Sequence, residues 1–150
     1  MRSWIFAIAL FLATGALAQQ ASPLFRGSWT ATAGRSQVLR GSWSGQALAR
    51  RPNAARGSWT LLTETGQILL EGTWSAQKTR LGWEGTWAAR IRHGRAFSGT
   101  WKADIAELRG KTFQDMLKWT AEKEVAGSWR SGRYQGNWWL NAPRSHHRRR

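Results

Sequence analysis

The sequence predicts an all-β fold, an eight-stranded antiparallel up-and-down β-barrel, on three observations. A Gly-x-Trp motif returns eight times, its spacing matches one strand plus one turn, and apolar residues alternate with polar ones around each copy. The motif reads "RGSWT" at 26–30, "RGSWS" at 40–44, "RGSWT" at 56–60, "EGTWS" at 71–75, "EGTWA" at 84–88, "SGTWK" at 98–102, "AGSWR" at 126–130 and "QGNWW" at 135–139. The first six tryptophans stand 14, 16, 15, 13 and 14 residues apart, too close for helical solenoid repeats of ~33 to 47 residues. Between the copies, "TAGRSQ", "ARRPN", "ETGQ", "RHGRA" and "SGR" carry turn chemistry.

Successive strand side chains point to opposite faces, so each unit sorts its residues by parity. The first unit puts Phe25, Gly27, Trp29 and Ala31 on one face, and the second puts Leu39, Gly41, Trp43, Gly45 and Ala47 there. The third contributes Ala55, Gly57, Trp59 and Leu61; the fourth, Leu70, Gly72, Trp74 and Ala76. The fifth adds Trp83, Gly85, Trp87, Ala89 and Ile91, and the sixth Phe97, Gly99, Trp101, Ala103 and Ile105. The last two add Val125, Gly127 and Trp129, then Tyr134, Gly136, Trp138 and Leu140. The other face carries residues such as Arg26, Ser28, Thr30, Glu71, Thr73 and Ser75, and is therefore the wet one.

Eight strands with one dry face can bury it by closing on themselves, which also removes the unpaired edges. A polar exterior is the reverse of the outer-membrane barrel pattern. Inside so narrow a barrel, an indole on every strand fits only beside small neighbours, and the Gly two residues before each Trp supplies the gap. The eight motif tryptophans are thus assigned to the structural core. A two-residue turn at Gly66-Gln67 sets Trp59 opposite Trp74, whereas one at Gly132-Arg133 sets Trp129 and Trp138 each opposite a partner-strand Gly.

The gap of 28 residues between Trp101 and Trp129 holds "KTFQDMLKWTAEKE", which predicts one helix at about 112–124. Thr112 and Asp115 form a capping-box start, and Phe113, Met116 and Leu117 share a face that closes one end of the barrel. Five of the eight acidic residues, Asp104, Glu107, Asp115, Glu122 and Glu124, lie in or beside it, so a nearly neutral lid end is expected.

The chain of 150 residues divides into a signal peptide at 1–18, a Trp-rich barrel domain at 19–143 and a basic, disordered tail at 144–150. Arg2, the apolar run from Trp4 to Leu12, and Ala16-Leu17-Ala18 mark the leader, with cleavage near Ala18; the apolar run is shorter than the ~20 residues of a spanning helix. An exported periplasmic or extracellular protein that does not span the membrane is expected. There is no cysteine, which excludes disulfides and thiolate metal sites. The formal charge of +15, lowered by one when Arg2 leaves, suits anionic partners.

Gly-x-Trp on the first strand of a secreted up-and-down meander resembles the calycin group, the lipocalins and avidins, with "RGSWT" at 26–30 as the matching stretch. The resemblance implies a barrel in which Trp29 packs at the closed end and Arg130, from a late strand, lies across it. Those families carry the motif about once; here every strand has it.

Three tryptophans are candidates for ligand contact: Trp83 near a strand end and so at a rim, Trp139 on the outer face by alternation, and Trp119 in the helical segment. Candidate polyanion-binding residues are Arg50 and Arg51, then Arg90, Arg92 and Arg95, then Arg148, Arg149 and Arg150 in the tail. Catalysis has little support, because His93 falls in a turn, His146 and His147 lie in the tail, and no carboxylate is placed to orient them. Glu71 and Glu84 fall on the wet face, where they oppose cations across strands rather than act as an acid and base pair. No enzyme, cofactor or metal site is therefore expected. The leading expectation is a non-catalytic binding protein for a small apolar or aromatic ligand at the barrel mouth. The alternatives are a surface binder of polyanions (lipopolysaccharide, acidic glycan or nucleic acid) and a structural envelope protein without a ligand.

Overall fold

The computed structural model describes residues 22–80, 82–91, 94–103, 105–106 and 109–141. Its elements are β1 (Phe25–Ala33), β2 (Gln37–Leu48), β3 (Arg51–Leu62), β4 (Ile68–Lys78), β5 (Trp83–Arg90), β6 (Ala96–Ala103), α1 (Phe113–Trp119), β7 (Val125–Ser131) and β8 (Tyr134–Asn141). The strands close into one antiparallel barrel in chain order, β8 pairing with β1. This is the expected meander, and its architecture is compatible with a calycin-like barrel. The leader at 1–18, the tail at 144–150, Arg92 and His93 lie outside the described residues.

Register shows why the motif works in pairs. Within each of the hairpins β1–β2, β3–β4, β5–β6 and β7–β8, every motif Trp stands opposite the Gly of its partner, as in Trp29↔Gly41 with Gly27↔Trp43 and Trp129↔Gly136 with Gly127↔Trp138. Between hairpins, Trp meets Trp: Trp43↔Trp59, Trp74↔Trp87 and Trp101↔Trp129. The facing rings fit because they lean apart, Trp43 over Gly27 and Trp59 over Gly72. Outside, the Ser and Thr residues flanking these pairs join hydroxyl to hydroxyl, Ser42 with Thr60 at 2.6 Å, Ser44 with Ser58 at 2.7 Å and Ser75 with Thr86 at 2.8 Å.

The β7–β8 register follows the two-residue turn at Gly132-Arg133, with Ser131 opposite Tyr134. The β3–β4 register does not: Trp59 faces Gly72, and Trp74 faces Gly57. The loop there spans 63–67, closed by Thr63 N–H donating to the Gln67 carbonyl at 2.8 Å and Gly66 N–H donating to the Thr63 carbonyl at 3.0 Å, with Gly66 at φ +83°. A register shift at Leu61/Leu62 absorbs the difference.

The glycines are required by more than the indoles. A Cβ on Gly41 would overlap the Thr60 carbonyl oxygen, one on Gly57 the Ser44 carbonyl, and one on Gly136 the Thr32 carbonyl. These carbonyls are the acceptors for indole N–H groups: Trp29 donates to Thr60 at 3.0 Å, Trp74 to Ser44 at 3.0 Å and Trp129 to Thr32 at 2.9 Å. Trp59, Trp101 and Trp138 likewise donate to the carbonyls of Thr73, Ser75 and Ser128. Among the described residues, only Trp43 and Trp87 have buried N–H groups without an acceptor.

Helix α1 is shorter than the expected 112–124. Its capping box forms, Thr112 accepting from Asp115 N–H while the Asp115 carboxylate accepts from Thr112 N–H. It ends at Trp119, with Thr120 still in helical conformation and its hydroxyl donating to the Leu117 carbonyl at 2.6 Å, before the chain turns toward β7.

Two stability measurements test this packing. Gly72→Ala brings a methyl onto the Ala88 carbonyl and the Trp59 ring, so chemical denaturation is expected to show a loss of about 1 to 3 kcal/mol. Trp129→Phe and Trp87→Phe remove the same volume, but only the first strands a carbonyl, so Trp129→Phe is expected to lose about 1 kcal/mol more.

Candidate functional site

The repeat tryptophans form two tiers. Those of the odd strands, Trp29, Trp59, Trp87 and Trp129, touch edge to face in series, with centroids 6.0, 6.1 and 6.1 Å apart. Of the even strands, Trp74, Trp101 and Trp138 do the same at 6.2 and 5.7 Å, one step nearer the helix. The Trp-against-Trp pattern fails at the β8–β1 seam, where Ala31 stands opposite Trp138 and Leu140 opposite Trp29. An alanine in place of an indole leaves space, and a cavity of about 220 Å³ occupies the barrel interior.

All of its lining is apolar: the eight motif tryptophans, Ala31 and Leu140 at the seam, and Phe113, Met116 and Leu117 from the helix. Phe113 stacks on Trp74 and meets Trp83 edge-on at 4.3 Å, so α1 is the floor. Lys78 fastens that floor by donating to the Lys111 carbonyl at 2.8 Å. The wall's N–H groups either point into backbone carbonyls or are buried, so the described lining presents apolar surface to the cavity.

Antiparallel connection puts alternate turns at opposite ends. The helix shares its end with the β2–β3 and β4–β5 turns. At the other end, Ile68, Leu69, Ile91, Phe97 and Tyr134 remain exposed, for no element among the described residues covers them. With the helix as the cavity's floor, this end is the one the described elements leave uncovered, and it is the barrel's mouth.

The structure redistributes the expected contact residues. Trp83 is at a strand end but only 2 % exposed, sealed beneath Phe113, so it is core and not a rim platform. Trp119 packs at the end of α1 with the Lys123 ammonium 4.6 Å from its ring, and Trp139 lies on the outer face opposite Thr30. None of the three lines the cavity; the motif tryptophans assigned to the core do, seven of them half-buried rather than buried because the interior is incompletely filled. Ala31, Leu140 and the helix face are the lining residues that parity marks only as core.

Charge is also redistributed. Arg50 and Arg51 sit in and beside the β2–β3 turn, at the opposite end from Arg90 and Arg95, so these described arginines form no single patch. The β2–β3 and β4–β5 turns bring Arg50, Arg51 and Arg80 to the helix end, beside Asp115, Glu122 and Glu124, while Asp104 and Glu107 lie outside the described residues. Arg130 is exposed on the outer face opposite Thr100 and cannot lie across the inward Trp29. Glu71 faces Arg90 and Glu84 faces Lys102 across strands, on the outside. Arg148, Arg149, Arg150, His146 and His147 lie outside the described residues. Among the described residues there is no cluster of metal-ligating groups, and no helix is long and apolar enough to cross a membrane.

Comparison with known proteins finds no matching family model, no matching curated protein and no matching solved structure.

Hydrogen bonds from the Thr112 backbone N–H and hydroxyl hold the Asp115 carboxyl below its usual range. A depressed carboxyl pKa stabilises the fold above the ordinary carboxylate range, and that contribution is lost as pH falls through the lowered value. Thr112→Ala is expected to destabilise by ~1 kcal/mol at neutral pH. The gap between the variant and the parent should narrow in acid, as read by urea unfolding across pH.

Proposed function

We propose that this protein is a non-catalytic binding protein whose barrel interior takes a small apolar or aromatic ligand through the end opposite the helix. The open, wholly apolar cavity carries this reading. Its volume lies between the ~150 Å³ of an engineered cavity that holds benzene and the ~300 Å³ at which drug-sized pockets begin. The ligand class is therefore a compact ring system or a single alkyl chain, presenting no polar group to the walls. The described lining residues are all apolar, which supports a binding role. A signal-peptide-like leader supports export, and the barrel architecture supports the likeness to calycins.

The splitting of the arginines between two ends favours this reading over polyanion binding by one basic patch. Native mass spectrometry of the protein taken gently from its own envelope fraction is expected to show a stoichiometric small-molecule adduct. With purified protein, indole, naphthalene and octanoate serve as probes. Ala31→Leu fills the seam and is expected to weaken binding of the best probe about tenfold or more, ~1.4 kcal/mol. A parent protein that binds none of them would mean that the interior is not a ligand site.

A further inference from the structure

We infer that the open end of the barrel docks onto an anionic lipid surface. This goes beyond cavity binding and rests on rim residues that do not line the cavity.

The first observation is the placement of exposed apolar side chains. Val38, Ile68, Leu69, Ile91, Phe97 and Tyr134 range from 40 to 61 % exposed, and all belong to strand ends or turns at the mouth. At the helix end the exposed large hydrophobic residue is Leu24 alone among the described residues. Phe97 and Tyr134 share the parity of the motif tryptophans, so they continue the inner apolar surface up to the rim, with Ile91 in the adjoining turn. Val38 has the outward parity and Leu69, the unpaired residue of the β3–β4 bulge, is 61 % exposed, so apolar surface also lies at the lip. A concentrated apolar patch at one end of a molecule marks an interaction site.

The second observation is charge at the same end. Arg35, Arg90, Arg95 and Arg133 are exposed in or beside the turns of the mouth, against Glu64 and Glu71, and Glu71 stands opposite Arg90. Arg133 also lies over the Tyr134 ring, 5.2 Å from its centroid, joining a cation to an aromatic at the lip. Aliphatic and aromatic side chains interleaved with arginine suit the headgroup region of an acidic bilayer, the apolar groups entering the acyl boundary and the guanidinium groups meeting phosphates. A second copy of this chain is the poorer occupant, since two such rims would set arginine against arginine. Docked in this way, the cavity opens toward hydrocarbon rather than water.

The test is co-sedimentation of the full chain with vesicles. Binding is expected with phosphatidylglycerol mixed into phosphatidylcholine, and much weaker binding with phosphatidylcholine alone. The double variant Leu69→Asp, Phe97→Asp, verified as folded by circular dichroism, is expected to bind about tenfold less or worse. Arg95→Glu with Arg133→Glu should weaken binding through charge. Leu24→Asp at the opposite end and the cavity-filling Ala31→Leu should leave vesicle binding intact, so loss of small-probe binding and loss of docking are separate results. No binding by the parent to acidic vesicles overturns the proposal. So does full binding by both rim variants, loss with Arg50→Glu and Arg51→Glu alone, or a lipid-free dimer in sedimentation equilibrium that the rim substitutions dissociate.

Discussion

The structure depends on one three-part contact: a glycine without a side chain, a carbonyl from a nearby strand turned in beside it, and an indole whose N–H meets such a carbonyl. Gly57, the Ser44 carbonyl and Trp74 show it most fully. A Cβ at such a position would displace the carbonyl or the ring. Backbone that turns an acceptor inward would ordinarily leave it short of partners in a dry interior, at about 1 to 3 kcal/mol for each unpaired group. The indole both fills the interior and satisfies that acceptor, so Gly and Trp must be repeated together. The motif is thus a packing unit, and the Ser and Thr residues around it hold the outer surface of the same junctions.

Because each hairpin exchanges Trp for Gly reciprocally, four hairpins build the barrel with one kind of contact. Closure does not preserve the pattern. At the β8–β1 seam, Ala31 and Leu140 stand where continued repetition would bring another tryptophan pair. Edge-to-face ring contacts are worth about 0.5 to 1.5 kcal/mol beyond burial, and the two series forgo them at the seam. What the interior gains there is volume. The cavity is therefore a consequence of where the repetition stops, with the helix as its floor.

The two ends differ plainly in cover. Phe113, Met116 and Leu117 seal one end, along with the small residues Ala47, Ala55, Ala76 and Ala103, whose size lets the helix approach the strands. At the other end the strands simply stop, and side chains of core parity meet solvent. Arginines occur at both ends, so apolar exposure distinguishes the mouth.

By itself the sequence determined the eight strands, their dry and wet faces, the position of the helix and its Thr112–Asp115 cap, and the β7–β8 register. All of these rest on local rules: side-chain alternation within a strand, a capping box three residues long, and a two-residue turn. Only the tertiary structure decided the β3–β4 register, because the loop at 63–67 makes hydrogen bonds that a Gly-Gln pair does not announce. It also decided that Trp83 is sealed beneath Phe113, a contact between residues thirty positions apart. The cavity was the least legible feature. Every motif copy looks alike in the sequence, and whether eight indoles fill a barrel or enclose a space depends on how the last strand meets the first.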